Sequence, residues 1–189
     1  MKRENILDCE KGRIVYYPDF FADAYEELLD LNWQQDEITI FGKTHSLPRL
    51  NCWYADEGIE YSYSGIRNRP TPWTEQLLDM KDRIEKGTGQ NFNSVLGNFY
   101  RDGMDYQGAH ADDEKELGPE PLIASASFGA ERKFRFKSKT DKTEKIELVL
   151  EGRSLLIMSG ELQKHYKHEL PKMKRVTSGR INLTFRMIK

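Results

Sequence analysis

A chain of 189 residues with 38% apolar content is long enough to bury a core and short enough to form a single domain, residues 1–189. Its 29 basic and 31 acidic side chains nearly cancel, so any affinity for nucleic acid must come from a local basic face rather than from overall charge. Cys9 and Cys52 make no disulfide framework, the start MKRENILDCEKG has no apolar signal region, and no run reaches the roughly 18 apolar residues of a membrane span. A cytoplasmic monomer, nuclear if eukaryotic, with no membrane partner is expected.

Asp19 is placed as the N-cap of a helix over FFADAYEELLDLNW, in which Phe20, Ala24, Leu28 and Leu31 share one face. This helix belongs to an N-terminal helical extension, residues 1–36. A second helix is predicted through PWTEQLLDMKDRIEK, where Trp73, Leu77, Met80 and Ile84 repeat the pattern and Gly87 stops it. From residue 92 the period changes to two. FNSVLGNFY, LIASASF, RKFRF, KIELVL, SLLIM and RINLTFRMI are strand candidates, and KSKTDKTEK, residues 137–145, is a hairpin loop. Helices followed by strands indicate an α+β fold, and many short antiparallel strands close most economically into a double-sheet jelly roll, which hides their edges.

The stretch GAHADDE, residues 108–114, crowds a histidine against carboxylates. In an extended segment residues two apart point to the same side, so His110 and Asp112 can reach one point in space. A third metal ligand must come from His45, His165 or His168, the last two lying in QKHYKHELP. Two imidazoles and one carboxylate leave coordination positions open, which suits Fe(II) and dioxygen better than a closed zinc site.

In SGRINLTFRMI, alternation turns Ile181, Leu183 and Phe185 toward the core and Arg180, Asn182, Thr184 and Arg186 to the opposite face. The two guanidinium groups stand roughly 20 Å apart along the strand at ~3.3 Å per residue. Their planar forks can converge on the two ends of one small dicarboxylate. Beside an open iron site that ligand would be 2-oxoglutarate. Asn98 and Tyr100, alternating in SVLGNFY, form a matching polar face.

Taken together, NFYRDGMDYQGAHADDE, IASASFGAERKFRF, HELP and RINLTFR resemble, in order and spacing over roughly residues 37–188, the AlkB family of Fe(II)- and 2-oxoglutarate-dependent dioxygenases. The resemblance implies a double-stranded β-helix (jelly-roll) catalytic core over 92–189, with nucleotide-recognition hairpins over 37–70. It selects His168 over His165, so that His110, Asp112 and His168 bind Fe(II). Arg180 and Arg186 then hold the carboxylates of 2-oxoglutarate, helped by Asn98, Tyr100 and Asn182. The implied activity is oxidative demethylation of N-alkylated bases such as 1-methyladenine and 3-methylcytosine in DNA, or also RNA, releasing formaldehyde, succinate and carbon dioxide.

The implied partner is double-stranded DNA with the alkylated base flipped out. By the same resemblance Glu114 lies beside the base, while Asp113 takes no role. Tyr63 in IEYSYSGI stacks on the base, and Ile40 and Phe41 in TIFGKTHSLPR fill the gap it leaves. Arg49 faces the pocket or a phosphate, and Trp53 or Tyr54 lines the lid. The runs ERKFRFKSKTDKTEK and KHYKHELPKMKR supply cations for phosphate contacts. The rival within the fold is a hydroxylase of a protein or small molecule that uses the same iron and cosubstrate.

Overall fold

The structure, a computed structural model, describes residues 2–40, 42–59, 61–63, 66–68 and 70–189. It opens on a hairpin, β1 (Glu4–Cys9) and β2 (Gly12–Tyr17). This corrects the helical reading of residues 1–36. GRIVYY is rich in β-branched and aromatic residues, and β2 buries Ile14 and Tyr16 on one side and Val15 on the other.

The helix expected over residues 20–33 shrinks to one turn, α1 (Tyr25–Leu28), with Ala24 rather than Asp19 at its N-cap. The cause is a distant carbonyl. Phe20 and Phe21 both donate their N–H to Arg153 O, at 2.9 and 3.0 Å, and Asp19 pairs with the Arg153 guanidinium at 3.2 Å. The entering backbone is thereby held to the turn before a strand instead of coiling on itself. Phe20, Leu28 and Leu31 are buried all the same.

Two short hairpins follow: β3 (Glu37–Ile40) with β4 (Lys43–Ser46), and, beyond β5 (Leu50–Ala55), β6 (Tyr61–Tyr63) with β7 (Ile66–Asn68). Helix α2 (Glu75–Thr88) begins where the Thr74 side chain accepts from Leu77 N and ends at Gly89, whose φ of 69° is the left-handed conformation of a helix stop. Gly87, where the stop was expected, stays inside the helix, two residues short of the observed stop.

The remaining strands are β8 (Ser94–Tyr100), β9 (Gln107–His110), β10 (Ile123–Gly129), β11 (Arg132–Ser138), β12 (Lys145–Leu150) and β13 (Ser154–Ser159). After the turn α3 (Leu162–His165) come β14 (Tyr166–Leu170) and β15 (Arg180–Arg186). They form a seven-stranded sheet, β1-β2-β13-β10-β15-β8-β5, and a four-stranded sheet, β12-β11-β14-β9. From β8 to β15 the chain passes back and forth between the two sheets, all pairings antiparallel, which is the expected jelly roll.

The larger sheet is buried on both faces. Phe20, Phe21, Leu28 and α2's Leu77, Met80 and Ile84 join Leu155, Leu183 and Phe185 in one cluster, while Phe134 and Phe136 of the smaller sheet join Tyr16, Leu156 and Met158 in another. Each such buried side chain contributes about 1.5–3 kcal/mol. Among the described residues no helix is long and apolar enough to cross a membrane.

Gly97, in mid-β8, is required by close packing. A Cβ there would stand 2.4 Å from Cys52 Sγ and 3.0 Å from the Trp33 ring. Burial pushes the Cys52 thiol up to about 12, so it stays protonated and acts as a small apolar group. Gly97→Ala is expected to destabilise the fold by about 1–3 kcal/mol. Thermal unfolding would read this as a fall in Tm of roughly 2–4 °C per kcal/mol.

Candidate active site

The register of the larger sheet sets a polar layer on the face turned toward the smaller sheet. Asn51 of β5 pairs with Asn98 of β8, Asn98 with Asn182 of β15, and Asn182 with Ser127 of β10. Neighbouring rows carry Tyr100 beside Arg180, Leu96 beside Thr184 and Ser94 beside Arg186. Opposite, β14 pairs with β9 so that His168 faces His110, their ring centroids 4.2 Å apart. The two layers enclose one pocket, lined among others by Asn98, Tyr100, His110, Asp112, His168, Arg180, Asn182 and Arg186. The three expected metal ligands and five expected cosubstrate residues therefore meet in one place.

Ligand atoms of His110, Asp112 and His168 lie within 4.8 Å of one another, the sole such group of His, Cys, Asp and Glu side chains among the described residues. Burial alone would raise the Asp112 carboxyl. The Arg186 guanidinium, 2.8 Å away, instead holds it at about 2. Burial drives His168 the other way, down to about 3 against the pull of Asp112, so its ring is neutral and keeps a lone pair. An ionised carboxylate and neutral imidazoles are the forms a metal binds. His165, the ligand that spacing left open, pairs with Glu161 at 3.3 Å instead.

At the other end of the pocket Arg180 is fully buried. Its Nη2 donates to Ser127 Oγ at 2.9 Å, its guanidinium lies 5.5 Å from the Tyr100 ring centre, and its Nε has no hydrogen-bond partner among the described residues. Burial lowers it to about 10, which leaves it charged at neutral pH. Asn98 is oriented from behind, since Arg49 Nε and Asn51 Nδ2 both donate to its Oδ1 at 2.8 Å. The charged lining thus comprises two guanidinium groups and one carboxylate. A dianion bound with a divalent cation adds no net charge to that lining.

Residues 16–186 match the model of the 2OG-Fe(II) oxygenase superfamily. The chain is 45% identical to mouse DNA oxidative demethylase ALKBH2 over 175 residues, 89% of this chain and 73% of that one. It is 40% identical to rat alpha-ketoglutarate-dependent dioxygenase alkB homolog 3 over 192 residues, 94% and 64% of the two chains. The chain belongs to the AlkB family. The solved structure of OsALKBH1, 17% identical, superposes with a TM-score of 0.66 over 92% of this chain and 96% of that one, and so shares the fold.

An AlkB-family enzyme takes Fe(II) and 2-oxoglutarate, and this pocket fits both: His110, Asp112 and His168 offer the metal-binding donor set, and the unpartnered Arg180 Nε faces the need for an anion. Further residues of the AlkB site escaped sequence reasoning. Gln163 Oε1 accepts from the backbone N of Asp112 at 3.0 Å, and Ser125 Oγ accepts from Asn182 Nδ2 at 2.8 Å. Arg132 was read as part of a basic surface run, yet it is fully buried and donates to the carbonyls of Asp102, Asp105 and Pro171 at 2.8–3.0 Å. It ties the loop before β9 to the segment after β14.

Two carboxylates serve three neighbours of Arg132 across the strands: Lys133 and Arg135 meet Glu147 at 2.8 and 2.6 Å, and Lys137 meets Glu169 at 2.8 Å. Arg49 is buried behind Asn98, to whose Oδ1 its Nε donates. Tyr54 packs with Cys52 in the outer core, its hydroxyl accepting from Asn32 N, so it is not a lid residue. Alternation from Asn51 instead turns Trp53 toward Leu96, a pocket residue. Glu114 is half-buried and precedes the 3₁₀ turn Lys115–Leu117. Ile40 closes β3 opposite Lys43, Tyr63 closes β6 opposite Ile66, and Phe41 lies outside the described residues.

Proposed function

We propose that this chain reverses N-alkyl damage in DNA by oxidative demethylation, acting as a monomer on duplexes from which the alkylated base is flipped. The carrying observation is the pocket itself, with His110, Asp112 and His168 at one end and a buried Arg180 at the other, in a chain 45% identical to a DNA oxidative demethylase. When bound, Fe(II) with 2-oxoglutarate and dioxygen supplies the oxidation that hydroxylates an N-alkyl carbon, yielding succinate and carbon dioxide, after which formaldehyde is lost.

The chain's own residues do the positioning. Arg186 orients the Asp112 carboxylate, Gln163 fixes its backbone, and the burial of His168 keeps that ring unprotonated. Arg180, Asn98, Tyr100 and Asn182 form the polar end that receives the cosubstrate carboxylate distant from the metal, with Arg49 serving the site by holding Asn98. The hairpin residues Ile40 and Phe41 occupy the gap left by the base, Tyr63 stacks on it, and Glu114 meets its polar edge.

Formaldehyde release from matched single- and double-stranded oligonucleotides carrying 1-methyladenine or 3-methylcytosine tests this reading. Phe41→Ala is expected to lower release from the duplex at least about tenfold while sparing the single strand, because unstacking costs a few kcal/mol in the duplex alone. No release from either strand form, with succinate production from 2-oxoglutarate intact, would point to a protein or small-molecule substrate instead.

A further inference from the structure

One pocket residue has no part in either the metal set or the carboxylate clamp. Gln107 opens β9, half-buried, three residues before His110. Its Oε1 accepts from the Tyr100 hydroxyl at 3.0 Å, and its Nε2 lies 3.0 Å from His110 Nε2. The tautomer is determined on the far side of the ring. His110 Nδ1 is 2.9 Å from Gly108 O, and a carbonyl oxygen can only accept, so Nδ1 carries the hydrogen and Nε2 of the neutral ring carries the lone pair. The Gln107 amide nitrogen therefore donates to that lone pair. With the amide so turned, its oxygen accepts from the Tyr100 hydroxyl.

His110 Nε2 is also the ring atom turned toward Asp112, 3.6 Å from its Oδ1, and so the atom offered to a metal. A single lone pair cannot accept a hydrogen bond and bind a metal at once. We propose that Gln107 is a latch on the metal site: its amide occupies the metal-binding lone pair of His110 until a metal displaces it, and its contact with Tyr100 ties that displacement to the cosubstrate end of the pocket. This rests on the metal-site reading above. Metal entry must break the Gln107–His110 bond, and the amide then becomes a free donor within a pocket built to hold an anion. Gln107 therefore weakens binding of the metal alone.

The test is an anaerobic Mn(II) titration of the full chain, without cosubstrate or DNA, with free Mn(II) counted by electron paramagnetic resonance. Gln107→Leu removes the amide at similar volume, and Gln107→Asn keeps an amide too short to reach His110. Both are expected to bind Mn(II) about two- to tenfold more tightly than the unaltered chain, the worth of one net hydrogen bond. Equal or weaker binding by both variants overturns the latch. Absence of Mn(II) binding by the unaltered chain overturns the metal-site reading, and the latch with it. Failure to act on alkylated DNA with Mn(II) binding intact bears on the substrate alone.

Discussion

Asp112→Ala is expected to abolish metal-dependent succinate formation from 2-oxoglutarate, a loss well beyond the roughly 10–100-fold that removal of a supporting residue around a metal ligand produces. The carboxylate supplies the only negative charge among the three ligand side chains, and it is held ionised at about 2 by Arg186. Without it the imidazoles of His110 and His168 remain as a two-ligand site. Alanine also takes the Asp112 carboxylate away from the buried Arg186 guanidinium 2.8 Å from it, and breaking a buried pair in this way costs about 3–5 kcal/mol. Asp112→Asn separates the two effects, because its amide oxygen can still accept from Arg186 Nη2 while the charge is gone. The expected outcome for Asn is a near-native Tm with Mn(II) binding and turnover both lost. Unchanged turnover in either variant would remove Asp112 from the site.

Chemistry-bearing residues at period two were legible in the sequence because a strand's geometry is local. His110 with Asp112, Asn98 with Tyr100, and Arg180 with Asn182 and Arg186 each share a face by alternation alone, and the sheet register then brings those faces together. What was not legible depended on partners far along the chain. The Arg153 carbonyl that holds Phe20 and Phe21 out of a helix is one such partner. Gln163, reaching the backbone of Asp112 across 51 residues, is another. The charges of Lys133, Arg135 and Lys137 could be read, but their cross-strand ion pairs with Glu147 and Glu169 needed the pairing of β11 with β12 and β14. Alternation did contain the choice between Trp53 and Tyr54, since β5 pairs Asn51 with Asn98, but only once β5 was known to be a strand.

Arg180→Met is expected to raise the half-saturating concentration of 2-oxoglutarate by about two to four orders of magnitude, the equivalent of the roughly 3–5 kcal/mol lost when one partner of a buried ion pair is removed. Turnover at saturating cosubstrate should fall far less, because Arg180 lies at the end of the pocket away from the metal ligands. Stability gives the independent readout. A buried guanidinium with one hydroxyl partner, an aromatic ring beside it and an unpartnered Nε is costly to keep in the folded chain, and the lowering of its pKa to about 10 by burial expresses that cost. Methionine removes the charge and fills much of the volume, so the variant without cosubstrate should unfold at the same temperature as the unaltered chain or a higher one. Added 2-oxoglutarate with Mn(II) should raise the Tm of the unaltered chain and leave that of Arg180→Met nearly unmoved. Loss of cosubstrate affinity with no loss of stability would show that the buried cation is retained for the ligand, whereas a fall in Tm at unaltered affinity would make Arg180 a structural brace and move the carboxylate site elsewhere in the pocket.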